Sequence, residues 1–168
     1  QYLLSKKGPF TSNVGEAGGF IQSSPDQPTV DTQFHFGPCY FVNHGFDNPK
    51  RGNGYSIGGL VLNPTSKGSI KLSSSDFRVG PSIDHNYLST DDDMRRSIIG
   101  YKVTEKLGLS DAFKAYRSSY FQPEQPLTDD KAIEDYIRET AQTVYHPTST
   151  CKMGTDNMAV VDSQLRVH

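Results

Sequence analysis

The sequence predicts an α+β domain: a mostly antiparallel sheet of about five to six strands with helices packed on one face. Two observations support this fold class. Strand-like segments fill the first half of the chain, and helix-like segments fill most of the second half. Strands that precede helices, without regular alternation between them, are typical of an antiparallel sheet covered on one side. The 168 residues are enough for one domain with a hydrophobic core.

The strands are identified by alternating polar and apolar residues between turn-forming residues. Five segments have this character: 14–21, 32–36, 55–62, 68–72 and 81–88. The clearest alternation places Phe34 and Phe36 on one face of a strand and His35 on the other. If the phenylalanine face packs in the core, His35 faces solvent or a cleft.

Two connections are predicted from turn residues. Pro64 to Gly68 is expected to join the third and fourth strands as a hairpin. The segment 43–54, rich in Asn and Gly, is long for a compact domain and is expected to be a lid or a mobile loop. His44 within it is interpreted as structural or solvated.

Helix signals begin at residue 90. Thr90 and Asp93 fit a capping box, and the three aspartates 91–93 favour the positive end of a helix rather than a metal site. Gly108 is a candidate C-cap. A short helix is predicted at 110–116. Thr128 is predicted to cap a last helix, which Pro147 would stop at His146.

Composition and spacing disfavour several function classes. The net charge of −2 provides no basic face for nucleic acid. The sequence contains no apolar run of about 18 residues, so no transmembrane helix is predicted. His146 and Cys151 lie five residues apart without a second close pair, so zinc binding is not expected. Cys39 and Cys151 are interpreted as small buried hydrophobes.

The segment 145–154 concentrates an imidazole, several hydroxyls and a thiol. On residue type alone, a histidine before a proline is more often a helix terminator or a surface residue. The sequence that surrounds this histidine changes that interpretation. His-Pro-Thr-Ser-Thr-Cys-Lys-Met-Gly at 146–154, Val-Val-Asp at 160–162 and Leu-Arg-Val at 165–167 resemble the C-terminal signature of the glucose–methanol–choline (GMC) flavin oxidoreductases. Ser149 stands where glycine is commoner, which affects only the shape of the loop.

The resemblance covers essentially the whole chain and implies an FAD-dependent alcohol dehydrogenase or oxidase, closest to choline- and alcohol-dehydrogenase-like members. It implies that 1–144 is the substrate-binding domain and that 145–168 holds the catalytic-histidine loop and starts the return to an FAD-binding domain. The chain is therefore expected to be a fragment, inactive alone, with FAD bound mainly by the absent N-terminal domain. A sheet face left uncovered would also favour self-association of the fragment.

The resemblance also implies site roles. His146 would take the proton of a small alcohol substrate while hydride passes to the flavin. Glu16, in a Glu-Ala-Gly-Gly-Phe run, would face a substrate ammonium group, and His35 would contact the substrate oxygen. Further lining residues complete the expected site: Tyr40 and Phe41 for substrate, Pro147 and Thr148 for the cofactor. Two alternatives remain at this point, a hydroxynitrile lyase on the same scaffold and a non-catalytic, β-rich ligand-binding module.

Overall fold

The computed structural model describes residues 2–47 and 52–168. In chain order the elements are helix α1 (Tyr2–Ser5), strands β1 (Ala17–Ile21), β2 (Thr32–Gly37), β3 (Ser56–Val61), β4 (Ser69–Lys71) and β5 (Ser82–Asp84), and helices α2 (Asp91–Gly108) and α3 (Asp130–Thr140). Single 3₁₀ turns lie at Pro9–Thr11, Asn43–Gly45 and Asp111–Phe113. The predicted α+β class is confirmed, and the described strands form antiparallel sheets of three and two.

The three-stranded sheet has one packed face and one open face. Its order is β1-β2-β3, with Phe34 opposite Gly19 and Gly59, and His35 opposite Gly18 and Gly58. Phe34 is buried, whereas His35 is exposed. The alternation within 32–36 therefore predicted the two faces correctly, because successive side chains on a strand point to opposite sides.

Helix α2 covers the packed face at very short range. A Cβ built on Gly59 would lie 3.3 Å from the carbonyl carbon of Gly100 and 3.4 Å from the side chain of Thr104. The helix backbone approaches the sheet so closely because neither glycine carries a side chain at the contact. Helix α3 packs behind α2, where Ile133 is only 1% exposed and the rings of Tyr101 and Tyr136 meet edge to face at 5.9 Å.

A buried ionic cluster ties the start of α2 to the sheet. Arg96, 3% exposed, donates to the Asp93 carboxylate at 2.8 Å and to the backbone oxygen of Leu62 at 2.7 Å. The same Asp93 carboxylate accepts hydrogen bonds from the backbone N–H groups of Thr65 and Ser66, both at 2.8 Å. Burial alone would raise the pKa of Asp93, but the hydrogen bonds from Ser66 and Thr65 lower it to about 2.

This cluster explains why the predicted hairpin between the third and fourth strands is wrong. Pro64 to Gly68 does form the connection, but β4 pairs with β5 and not with β3. The N–H groups of Thr65 and Ser66 are directed to the Asp93 carboxylate. The chain therefore leaves the first sheet at this turn and begins a separate two-stranded hairpin.

Helix boundaries were predicted well for α2 and less well for α3. Thr90 caps α2 as expected, accepting from the Asp93 N–H at 3.3 Å, but the capping box is not completed, because the Thr90 N–H donates to the Ser66 hydroxyl at 3.3 Å. Gly108 is the last helical residue, and the C-cap is Leu109 rather than Gly108. The short helix expected at 110–116 is only the 3₁₀ turn Asp111–Phe113. Residues 48–51 of the predicted long loop lie outside the described residues.

The last helix differs at both ends from the prediction. Asp129, rather than Thr128, caps α3 by accepting from the Ala132 N–H at 3.0 Å. The helix ends at Thr140, and Ala141 is extended. His146 therefore follows a non-helical segment of five residues, 141–145, instead of terminating the helix.

Replacing Asp93 with Asn should destabilise the full-length protein by about 3 kcal/mol at neutral pH, because the buried Arg96 would lose its closest buried carboxylate and retain the partly exposed Asp92 at 2.9 Å and Asp31 at 4.0 Å. The folded-state pKa is lowered, so the stabilisation exists above the ordinary value of 3.8 and is lost as pH falls toward about 2. The stability gap between parent and variant, measured from denaturant midpoints, should therefore shrink between about pH 4 and pH 2.

The matched control is Asp135→Asn, which removes an exposed carboxylate paired with Lys131 at 2.6 Å on α3. Its midpoint should stay near that of the parent. Equal losses for both substitutions would contradict the role given to the buried cluster.

Candidate active site

The open face of the sheet is centred on His35. Its cross-strand neighbours are Gly18 and Gly58, so no side chain stands directly beside the imidazole on either adjacent strand. A Cβ built on Gly58 would meet nothing within 4 Å, which shows open space there. A Cβ on Gly18 would come within 2.7 Å of the Phe34 carbonyl oxygen, so that position requires glycine. Together these residues form a shallow trough with an accessible imidazole.

Glu16 directly precedes β1. Its N–H donates to the Phe36 carbonyl and to the Val14 carbonyl, both at 3.1 Å. Phe36 already stands opposite Ala17 in the ladder, so two residues at this end face one residue of β2, as in a β-bulge. The regular alternation of β1 therefore stops at Ala17. The Glu16 side chain is exposed at this edge of the sheet.

Tyr40 and Phe41 follow β2, and each residue is held by contacts with other parts of the chain. The Tyr40 hydroxyl donates to the Asn53 carbonyl at 2.9 Å, and its ring lies 5.0 Å from that of Phe121. The Phe41 N–H donates to the Ser56 hydroxyl at 3.0 Å. Tyr40 is half-buried and engaged in packing, whereas the Phe41 side chain is 55% exposed. Phe41 is thus the more accessible of the two predicted wall residues.

Residues 146–151 form the His146 loop, and all of them are exposed, including Pro147 and Thr148. Within the described ranges, none of the residues 146–151 takes part in a hydrogen bond or ion pair. Ser149 has a left-handed backbone, with φ of 70°. Its position is the one where glycine is commoner in the resembled signature, and glycine adopts this conformation freely. The loop therefore presents unpaired polar groups on the surface.

One contact ties the approach to this loop back to the domain. The Tyr145 hydroxyl is hydrogen-bonded to Nδ1 of His44, and the two rings lie 5.2 Å apart. The His44 N–H donates to the Gln142 side chain at 2.8 Å. His44 thus has a partner on the segment that leads to His146, which sequence reasoning did not find. The Asn-His-Gly turn was visible in the sequence, but nothing there indicated a partner about 100 residues away.

The structure therefore brings the predicted residues together only in part. His35 lies on the open face with Glu16 at the edge of the same sheet, and the chain from β2 runs through Tyr40 and Phe41 to His44. In the part of the chain that the structure describes, no hydrogen bond or ring contact joins His146 to Glu16 or His35. The catalytic, substrate and cofactor roles of these residues remain predictions.

The segment after the loop is held by its own contacts. Asp162 accepts hydrogen bonds from the N–H groups of Gln164 at 2.8 Å and Arg166 at 3.0 Å, and pairs with the Arg166 side chain. The hydrogen bonds to Arg166 lower the pKa of Asp162 below its usual value. The Val-Val-Asp and Leu-Arg-Val parts of the signature thus contact each other, which gives them a structural role.

The interpretation of Cys151 as a buried hydrophobe is wrong for this chain. Cys151 is exposed on the His146 loop, whereas Cys39 is half-buried beneath the end of β2. The error arose because burial was inferred from residue type, while the loop projects from the domain. Among the described helices, none has the length and apolar composition to cross a bilayer.

Comparisons with known proteins support a single family. The model of the GMC oxidoreductase C-terminal region matches residues 64–168. The alcohol dehydrogenase [acceptor] of Pseudomonas putida is 39% identical over 166 residues, covering 99% of this chain and 30% of that protein. The oxygen-dependent choline dehydrogenase of Acinetobacter baumannii strain AYE is 38% identical over 168 residues, covering 100% of this chain and 30% of that protein.

Solved structures have the same fold. The pyridoxine 4-oxidase of Mesorbium loti superimposes with a TM-score of 0.79 at 27% identity, covering 92% of this chain and 30% of that one. A formate oxidase superimposes with a TM-score of 0.82 at 24% identity, covering 99% and 34%, which shows the fold alone.

The chain belongs to the GMC oxidoreductase family. It spans about a third of the length of the relatives it matches, 30% of each of the two dehydrogenases. The family expectation drawn from the 146–167 signature is thereby confirmed.

Proposed function

We propose that this chain is the substrate-binding part of an FAD-dependent dehydrogenase or oxidase that converts a small alcohol to its aldehyde. The observation that carries the proposal is the open sheet face. His35 lies there without a covering layer in the described residues, Glu16 is exposed at the edge of the same sheet, and α2 occupies the opposite face. An exposed imidazole and carboxylate on a rigid sheet suit a surface that binds a polar substrate.

Oxidation of the alcohol removes a hydride from the carbinol carbon and a proton from the hydroxyl oxygen. FAD, when bound, would accept the hydride that leaves the carbinol carbon. The hydroxyl proton needs a base within hydrogen-bond reach, and an imidazole accepts and releases protons near neutral pH. We assign this role to His146. A donor hydrogen bond from His35 would hold the substrate oxygen and stabilise the charge that develops on it.

The His146 loop fits a position next to the cofactor. Thr148 and Thr150 have hydroxyls without a partner in the described part of the chain, and Pro147 removes one backbone donor while fixing the turn. Polar groups that have no partner within this chain are available to a group bound by another part of the protein. We propose that Pro147 and Thr148 border the flavin and that the FAD domain of the same protein covers the loop.

Glu16 suggests the substrate class. A carboxylate beside the substrate trough would favour a quaternary ammonium alcohol over an uncharged one. Two groups of relatives bear on this assignment: the Acinetobacter protein is named a choline dehydrogenase and the Pseudomonas protein an alcohol dehydrogenase. We propose a choline-like alcohol, with Phe41 as an accessible apolar wall of the pocket.

The two alternatives receive less support. The relatives named above are dehydrogenases and oxidases, which favours redox chemistry over a lyase reaction. A non-catalytic binding module is disfavoured because the matching family consists of enzymes. Self-association of the isolated fragment remains a prediction; its apolar side chains exposed by more than 80% include Phe10, Leu72 and Phe77.

Replacing His146 with Ala in the full-length protein should slow anaerobic flavin reduction by a saturating alcohol by at least about 100-fold. The proton would lose its acceptor, while the cofactor would keep its binding site. The reduction rate is measured by stopped-flow absorbance, and the flavin content by its visible spectrum.

His85→Ala is the matched control, since His85 is exposed beyond β5 and, among the described residues, its ring stacks only on Tyr87, at 5.1 Å. It should leave both readouts unchanged. If His146→Ala lost flavin and rate in equal measure, the loop would be structural and the assignment of the base would be wrong.

Replacing Glu16 with Gln should raise KM for choline by about tenfold and leave KM for an uncharged primary alcohol within about twofold. The reason is that only the cation loses an electrostatic partner. Steady-state kinetics with both substrates tests this. An equal change for the two alcohols would remove the cation-binding role from Glu16.

A further inference from the structure

We propose that His44 and Tyr145 form an anchor that positions the His146 loop, so that both are positioning residues for the reaction. This inference rests on the proposed role of His146. It concerns how the imidazole is held, because His146 itself has no hydrogen bond within the described ranges. The residue before it, Tyr145, is joined to a distant part of the chain by the hydrogen bond between its hydroxyl and Nδ1 of His44.

The His44 side of the anchor is a rigid turn. Val42 and Asp47 form a β-bridge that closes it, and the Asn43 side chain donates to the Asp47 carboxylate at 2.9 Å. Within the turn, the Gly45 N–H donates to the Val42 carbonyl at 2.8 Å. These three interactions close the turn that carries His44.

The Tyr145 side is held at three points. Its N–H donates to the Thr143 hydroxyl at 3.0 Å, its ring lies 5.2 Å from the His44 ring, and its hydroxyl completes the hydrogen bond. The Gln142 side chain accepts from the His44 N–H at 2.8 Å. Gln142 and Tyr145, both in the segment 141–145, therefore contact the same turn.

Both central residues have left-handed backbones, with φ of 56° at His44 and 65° at Tyr145. Residues other than glycine adopt this conformation at a cost, and it persists where surrounding contacts determine it. Two such residues in direct contact, one of them next to the proposed base, indicate that the contact sets the local chain direction.

The anchor also joins the two halves of the candidate site. His44 follows His35 by nine residues through Tyr40 and Phe41, and Tyr145 precedes His146 directly. The open sheet face and the His146 loop are thus connected through this pair. A small displacement of the base relative to the substrate is enough to slow proton transfer strongly.

The test uses three variants of the full-length holoenzyme. Tyr145→Phe keeps the ring and removes the hydroxyl. His44→Gly removes the side chain while tolerating positive φ, and His44→Asn keeps both an acceptor near the Nδ1 position and tolerance of that backbone. Tyr116→Phe is the control, because the Tyr116 side chain is 79% exposed and has no hydrogen bond or ring contact among the described residues.

We expect Tyr145→Phe and His44→Gly each to lower kcat by about 10- to 100-fold with KM changed by less than about twofold. The double variant should be no slower than the slower single variant, since one contact is lost in each case. His44→Asn should recover most of the rate, and Tyr116→Phe should match the parent.

Hydrogen–deuterium exchange supplies a readout independent of activity. In Tyr145→Phe and His44→Gly, the hydrogen-bonded backbone amides at positions 44 and 145 should exchange faster, while those of α2 should not change. Unchanged exchange at positions 44 and 145, or additive effects in the double variant, would overturn the anchor. An active His146→Ala enzyme would refute the proposed base, yet the exchange result would still decide whether the anchor exists.

Discussion

The close contact between α2 and β3 determines which face of the sheet remains available. Gly59 and Gly100 allow the helix backbone to reach the sheet, and a side chain at Gly59 would meet Gly100 at 3.3 Å. With Phe34 and Thr32 buried under this helix, the alternation of strand side chains leaves His35 on the opposite surface. The location of the candidate site is therefore a consequence of how one helix packs.

The buried Asp93 cluster fixes the rest of the arrangement around that contact. Arg96 binds the backbone that leaves β3, and Asp93 holds the following turn, so the start of α2 and the end of the sheet move together. The same cluster diverts the chain into the separate β4–β5 hairpin. A polar network with most of its groups hydrogen-bonded specifies one geometry for these elements, which an apolar contact alone would not.

Local patterns predicted the parts of the fold that depend on neighbouring residues. Alternation identified the two faces of β2, and Thr90 marked the start of α2. The errors arose where distant residues decide the outcome. Asp93 directs the Pro64–Gly68 turn from 28 positions away along the chain, and Tyr145 meets a histidine 101 positions away. Cys151 is exposed because its loop projects from the domain, which residue type does not reveal.

The most direct test of the account is an anaerobic titration of the full-length protein with choline and with an uncharged primary alcohol, followed by flavin absorbance. The account predicts a flavin spectrum that is bleached by about one equivalent of alcohol, with choline effective at the lower concentration. A protein that carries no flavin, or a flavin that neither alcohol reduces, would contradict the assignment of the open sheet face and His146 to alcohol oxidation.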